Sequence, residues 1–340
     1  EEKRLFERLP LALEIHDKRY PTLHINAGRG LPWPLSFAWR LMRDNDLATF
    51  KQVSRLFLHS RKLEADRDAT VSDWLAQLGQ SDRLIRQLWE PLCLATLNTP
   101  IAAASAHVFA SVISETFRFR HHTDLLIPRV PLGDLVPRYA EQYIRDHGSD
   151  ISQQRRINQI SIKKGKVDGV VDQDKYFIDA DQVIMATPPA VTHSLLHQHI
   201  TLPLLTSFPI TTVYLQYPAD VHLDQAMTGL SGTLSQWLFD RSEHRPGLIA
   251  VVISGPGDHE QLSKEVLIGI VADEVRQIQP GIPAIPDDAL VIREKRATFA
   301  CNVDIQRQRP NNRTEIVGLW LAGDFVLNPY PATLEGAILN

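Results

Sequence analysis

Apolar positions recur at helical spacing from residue 36 to about residue 115, and they alternate or cluster in short runs over much of the remaining chain. Leu35, Trp39 and Met42 share that spacing, and so do Phe50, Val53, Phe57 and Leu58. A period of this kind predicts helices. Thr70-Val71-Ser72-Asp73-Trp74-Leu75 sets hydroxyls and an early acid before an apolar face, which predicts a capped helix start. Pro91 lacks an amide donor and is expected to kink or interrupt the next helix. Asn98-Thr99-Pro100 marks a turn, and the small residues over 102–110 predict close packing.

Residues 11–34 are broken by Pro21, Gly28, Gly30 and Pro32 and read as strands joined by turns. Gly28-Arg29-Gly30 lacks the third glycine of a phosphate loop, so a plain turn is expected there. After the helices, 124–129 reads as a strand and 132–147 as an amphipathic helix closed by Gly148. Residues 155–162 alternate, turn at Lys164-Gly165-Lys166 and return through 167–171, with a further strand over 175–178. Residues 181–189 predict a buried strand running into Pro188-Pro189. Strands follow over 211–216, 248–253 and 290–299, with a helix capped by Ser263 and ending near residue 278.

The end of the chain carries the most chemistry. Leu319-Trp320-Leu321-Ala322-Gly323-Asp324-Phe325 predicts an apolar strand and a Gly-Asp turn, and a helix is expected to open at Pro331. The amides of Ala332, Thr333 and Leu334 would then face an anion or an electron-rich ring. A carboxylate at Asp324, just past a strand end, suits the hydroxyls of a ribityl or ribose chain. Together these features predict half of a flavin site.

Composition narrows the alternatives. With 340 residues and 44% apolar content, the chain can bury a sizeable core. A net charge of −4 argues against an electrostatically driven nucleic-acid binder, and the short basic run at Arg118-Phe119-Arg120-His121-His122 reads as a solvated helix end. Two cysteines, Cys93 and Cys301, exclude a disulfide framework or a cysteine-based zinc site and fit a reducing, cytoplasmic compartment. No apolar run approaches the roughly 18 residues of a membrane span. His193 and His197, four apart, lack an acidic or cysteine companion, so no metal site is assigned. Ser231-Gly232 and Ser254-Gly255 lack a hydrolase elbow, and Asp172 and Asp174 read as a turn.

The ordered set of elements resembles the FAD-dependent amine oxidase and phytoene-desaturase superfamily. The resemblance rests on helix 132–147, the hairpin from Ile157, Val183-Ile184-Met185-Ala186-Thr187-Pro188-Pro189 and Leu321-Ala322-Gly323-Asp324. Within it, four further stretches are similar to the hydroxysqualene dehydroxylases, also called squalene-associated FAD-dependent desaturases. These are 89–106, Asp124-Leu125-Leu126-Ile127-Pro128-Arg129, Glu294-Lys295-Arg296-Ala297-Thr298-Phe299 and Tyr330-Pro331-Ala332-Thr333-Leu334-Glu335-Gly336-Ala337. The fold implied is mixed α/β (α+β), a nucleotide-type FAD-binding domain interleaved with a sheet-plus-helix substrate domain. The division expected is 1–123 and 196–304 for the substrate domain, and 124–195 and 305–340 for the FAD-binding domain. The superfamily's N-terminal glycine-rich βαβ unit is not found, so the sequence is expected to be an excised piece of a longer protein.

By the same resemblance, FAD would meet Ile157 at its adenine and Ala186, Thr187 and Pro188 along the dinucleotide. Gly323 and Asp324 would lie at the ribityl–pyrophosphate region, and Ala332, Thr333 and Leu334 at the N1/O2 edge, where a helix start steadies the charge of reduced flavin. The reaction implied is reductive dehydroxylation of hydroxysqualene to squalene in hopanoid biosynthesis, with the electron donor unassigned. The catalytic acid is not identified; Glu335 is the candidate. A hydrophobic isoprenoid substrate implies peripheral contact with the inner face of a membrane through the helices after Ser36. Alternatives are a carotenoid-type desaturase, a flavin-containing amine oxidase and a lipid-binding relic without flavin.

Overall fold

The computed structural model describes residues 5–27, 32–61, 63 and 68–340; the expected turn at Gly28-Arg29-Gly30 lies outside them. Its strands, in chain order, are β1 (Phe6–Leu9), β2 (Ala12–Asp17), β3 (Leu23–Asn26), β4 (Leu125–Pro128), β5 (Ile157–Lys163), β6 (Lys166–Asp172) and β7 (Phe177–Asp179). They continue with β8 (Val183–Met185), β9 (Ser207–Gln216), β10 (Met227–Ser231), β11 (Trp237–Asp240), β12 (Leu248–Ser254), β13 (Asp288–Phe299) and β14 (Leu319–Leu321). The order β13-β9-β12-β11-β10-β2-β3 makes a seven-stranded sheet. It is antiparallel except where β10 runs parallel to β2. On one part of it lies the helix Lys264–Ile278, N-capped by Ser263, burying Leu267, Val271 and Val275 against Val213, Leu215 and Val251.

Helices Leu35–Asp44, Leu47–Ser60, Val71–Gln77 and Ala106–Thr116 form the second layer. As expected, Thr70 caps Val71–Gln77, its hydroxyl accepting from the Asp73 amide at 3.0 Å. Between them, residues 82–97 form one helical run whose middle turn, Ile85–Trp89, is a π-helix immediately before Pro91. A proline cannot donate to the carbonyl four residues back. The wider π turn absorbs that break without ending the helix. The small residues Ala104, Ala106 and Ala110 are buried, so close packing holds there.

Two expectations need correction. The segment 132–147 is a short 3₁₀ turn, Leu132–Asp134, followed by a helix that starts only at Pro137, and it buries no side chain. The strand within 181–189 shrinks to β8, where Met185 is buried but Ile184 is 69% exposed. Among the described residues β8 pairs with β14 alone. The stripe Leu35, Trp39 and Met42 faces outward, while Phe37 and Leu41 on the opposite side enter the core. No helix among the described residues is long and apolar enough to cross a membrane.

Candidate functional site

The hairpin β5–β6 turns at Lys164 and Gly165, both left-handed (φ 51° and 75°), which matches the right-handed twist of the paired strands. Its end is tied to the C-terminal strand: the Val167 amide donates to Val317 O at 2.9 Å, and the Val317 amide to Gly165 O at 3.0 Å. β14 then runs parallel to β8, Leu321 facing Met185, and the Ala322 amide donates to Met185 O at 3.0 Å. The carboxyl ends of two parallel strands therefore lie side by side, the usual place for a ligand in an α/β sheet. This brings Ala186, Thr187 and Pro188 next to Gly323 and Asp324. Ile157, at the start of β5, pairs with Asp172 at the end of the hairpin away from that tie.

Gly323 has φ +136°, a conformation that side chains rarely adopt, and it lets the chain turn sharply out of β14. The Asp324 carboxylate is met by the main-chain amides of Asp324 and Phe325 and, among the described residues, by no side-chain donor. Burial raises its pKa, against the lowering pull of the Phe325 amide and of the Arg309 guanidinium. An acceptor left with unfilled lone pairs in a half-buried position fits a polyol such as the ribityl chain of a flavin. Thr187 and Thr192 share a hydroxyl hydrogen bond of 2.8 Å that fixes the start of helix Pro189–Leu196.

Arg309, which no sequence pattern singled out, organises this end of the molecule. Its Nη2 donates to the carbonyls of Asp324 and Val326 at 2.6 Å, and its Nη1 to those of Asn328 at 2.8 Å and Tyr330 at 2.7 Å. The guanidinium also lies 5.2 Å above the Phe299 ring. Burial, the largest influence, lowers its pKa to about 10. One rigid fork thus gathers the carbonyls of a loop that would otherwise have no ladder to join. Asn328 and Asn340 clip the loop to the last helix, Asn328 donating to Gly336 O at 3.1 Å and Asn340 to Gly323 O at 3.1 Å. Nothing in the local pattern of polar and apolar positions signals such a hub.

The last helix itself is displaced from its expected start. It spans Leu334–Ile338, and Thr333 is its N-cap, the hydroxyl accepting from the Gly336 amide at 3.1 Å. A threonine cap satisfies an orphan amide, whereas Pro331 could only avoid wasting one, so the cap decides where the helix begins. Pro331 stands outside, and the Ala332 amide pulls the pKa of the buried Cys301 thiol down against the larger raising effect of burial. Leu334 and Glu335 occupy the first turn, both exposed.

Two apolar cavities lie beside this body. The inner one, about 390 Å³, sits between the large sheet and helices 82–97 and Ala106–Thr116, with Leu92, Val112, Ile210 and Trp237 in its wall. Its polar lining comprises Thr96, Thr116, His122, Thr123, Asp124 and Ser254. Asp124 is paired with Arg8 at 3.4 Å, and the His122 ring is 3.0 Å from Glu115 O. Outside the cavity wall, the pKa of the Tyr330 phenol is pushed up by burial and further by the Glu115 and Glu335 carboxylates. The outer cavity, about 490 Å³, lies among Trp33, Phe37, Phe50 and Phe57. Trp89, by contrast, is core, its indole donating to Gln80 at 2.7 Å.

Other sequence candidates resolve into structure. Ser231 donates to Asp17 at 2.7 Å, a carboxylate that Arg86 also holds at 2.6 Å. Asp172 pairs with Arg155 and accepts the amides of Asp174 and Tyr176, closing a turn. His193 and His197 stack with ring centroids 5.8 Å apart.

The chain is similar to the hydroxysqualene dehydroxylase of Zymomonas mobilis, with 29% identity over 96% of this chain and 75% of that protein. It is also similar to the hydroxysqualene dehydroxylase of Sinorhizobium fredii, with 26% identity over 75% of this chain and 60% of that protein. It spans between three fifths and three quarters of the length of these relatives. Among solved structures, an oxidoreductase from Methanosarcina mazei shares the fold with a TM-score of 0.74 at 15% identity, covering 98% of this chain and 80% of that one. The model of the flavin containing amine oxidoreductases matches residues 4–340, and the chain belongs to that family.

Proposed function

We propose that the protein is an FAD-dependent oxidoreductase that removes the hydroxyl of hydroxysqualene to give squalene. The observation that carries this reading is the apolar cavity walled by the sheet and the helices, with His122 and Asp124 as the titratable side chains of its described wall. Such a space suits a long hydrocarbon with a single oxygen function, and two hydroxysqualene dehydroxylases are among the relatives. When bound, reduced flavin supplies the hydride.

Ile157, Ala186, Thr187, Pro188, Gly323 and Asp324 are proposed to hold the dinucleotide, Asp324 accepting from ribityl hydroxyls. Ala332, Thr333 and Leu334 are proposed to face the ring. The allylic hydroxyl leaves as water once protonated, and the apolar wall keeps bulk water from recapturing the substrate cation. Of the titratable groups in the cavity wall, Asp124 is occupied by Arg8, and His122 is proposed as the proton donor. Glu335 stands exposed in the first turn of the last helix and is the weaker candidate.

Contact with a membrane surface is proposed through the outward stripe Leu35, Trp39 and Met42, with Leu58 on the next helix. The reaction is tested by incubating the flavin-loaded protein with hydroxysqualene and a flavin reductant and analysing products by gas chromatography. Squalene is the expected product. Turnover of an amine or of phytoene, with hydroxysqualene untouched, would overturn the reading.

A further inference from the structure

Three carbocyclic aromatic side chains belong to the described wall of the inner cavity: Phe117, Trp237 and Phe239. Phe117 is engaged with the rings of Trp33, Phe37 and Phe57. Trp237 and Phe239 stand two positions apart on β11 and so share one face of the sheet. Among the described residues no other ring packs against either of them. Trp237 lies opposite Gly229 on β10 and Val252 on β12. A β-carbon at 229 would stand 3.1 Å from Cζ3 and 3.2 Å from Cη2 of the indole, so the glycine is what gives the ring its room beside the sheet.

The Trp237 side chain carries a cost that its shape does not explain. It is 5% exposed, and its Nε1–H finds no acceptor among the described residues. A buried donor without a partner is unfavourable, and tryptophan N–H groups usually find one. A phenylalanine would line the same apolar wall without that cost. What an indole supplies beyond a phenyl ring is the larger and more electron-rich π-face, the side chain best suited to a positive charge.

The dehydroxylation proposed above forms such a charge. The carbon–oxygen bond breaks with its electron pair on oxygen, which takes a proton from His122 and leaves as water. The allylic carbon is left positive until a hydride from reduced flavin, carrying two electrons, completes the new carbon–hydrogen bond. His122 is neutral once its proton is given, and Asp124 is engaged by Arg8 at 3.4 Å. We propose that Trp237 is a catalytic residue whose π-face steadies the allylic cation of the substrate. The proposal rests on the dehydroxylation reading of the same site, but its test reads charge recognition without turnover.

The experiment measures equilibrium binding of squalene, and of an azasqualene whose protonated tertiary amine replaces the reacting carbon, to the flavin-loaded protein and to its Trp237→Phe and Trp237→Leu variants. The unmodified protein is expected to prefer the ammonium compound. Trp237→Leu is expected to lower the ratio of the two affinities about tenfold and Trp237→Phe about threefold, the range of a desolvated cation–π contact. A change in cavity volume moves both ligands together and cancels in the ratio. Retained squalene binding shows that a variant is folded, and Trp237→Phe, which keeps an aromatic core, carries the test should Trp237→Leu fail to fold. No preference for the ammonium compound in the unmodified protein, or a ratio that the substitutions leave unchanged, would overturn the proposal. If hydroxysqualene is converted to squalene while the ratio does not respond, the dehydroxylation stands and Trp237 loses its part. If the ratio responds but no squalene forms, the dehydroxylation reading falls and the cation site stands.

Discussion

At the scale of single residues, the consequential side chain is Arg309. It is 4% exposed and donates to the carbonyls of Asp324, Val326, Asn328 and Tyr330. Arg309→Met would leave those carbonyls buried without a donor, and Arg309→Lys would replace a planar fork by a single ammonium. Arg309→Met is expected to lower stability by about 3 kcal/mol and to abolish flavin retention, with Arg309→Lys intermediate. Chemical denaturation and visible absorbance of the purified protein measure the two effects; a stable, fully yellow Arg309→Met variant would contradict the hub. His122 is the second residue-scale case. His122→Gln keeps a polar group against Glu115 O but cannot deliver a proton in the same way, so kcat should fall by about a hundredfold with flavin content unchanged. Loss of flavin in parallel with activity would instead mark a structural part for the ring.

At the scale of elements, the helix Leu35–Asp44 is amphipathic in the opposite sense to a simple surface helix. Phe37 and Leu41 go inward, yet Leu35 is 61% and Trp39 52% exposed on the other face. Apolar side chains facing outward beside the cavity rim, with Arg40 and Arg43 on the same helix, suit the surface of an anionic bilayer. Trp39→Glu combined with Leu58→Glu is expected to reduce co-sedimentation with anionic vesicles several-fold without lowering thermal stability, because neither side chain is packed in the core. Vesicle binding that survives both changes would remove this face from consideration. The helical spacing of this stripe was plain in the sequence. Its direction was not, since Phe37 and Leu41 form an equally good stripe on the other side, and only the packing of Phe37 against Phe57 and Phe117 selects between them.

At the scale of the molecule, local periodicity specified most elements. The π-helix before Pro91 and the caps at Thr70 and Ser263 follow from a missing donor and from short-range hydroxyl–amide bonds, which are written in neighbouring residues. The strand-end turn at Gly323-Asp324 was legible for the same reason. Where expectation and structure part, a partner distant in sequence intervenes. β8 leaves Ile184 69% exposed, and its described strand partner is β14, where Leu319 lies opposite Val183 from 136 positions further along the chain.

What the sequence determined alone was the mixed fold, the order of its elements and an acid poised after an apolar strand, since each depends on interactions spanning a few residues. Tertiary structure alone decided that Arg309 gathers the carbonyls of the loop after Asp324. It also decided that Phe117 lines both cavities. These outcomes depend on which buried donors and rings meet across long stretches of chain, and no spacing along the chain encodes a meeting of that kind. The closing strand and its Gly-Asp turn were visible in the sequence; the scaffold that holds them together was not.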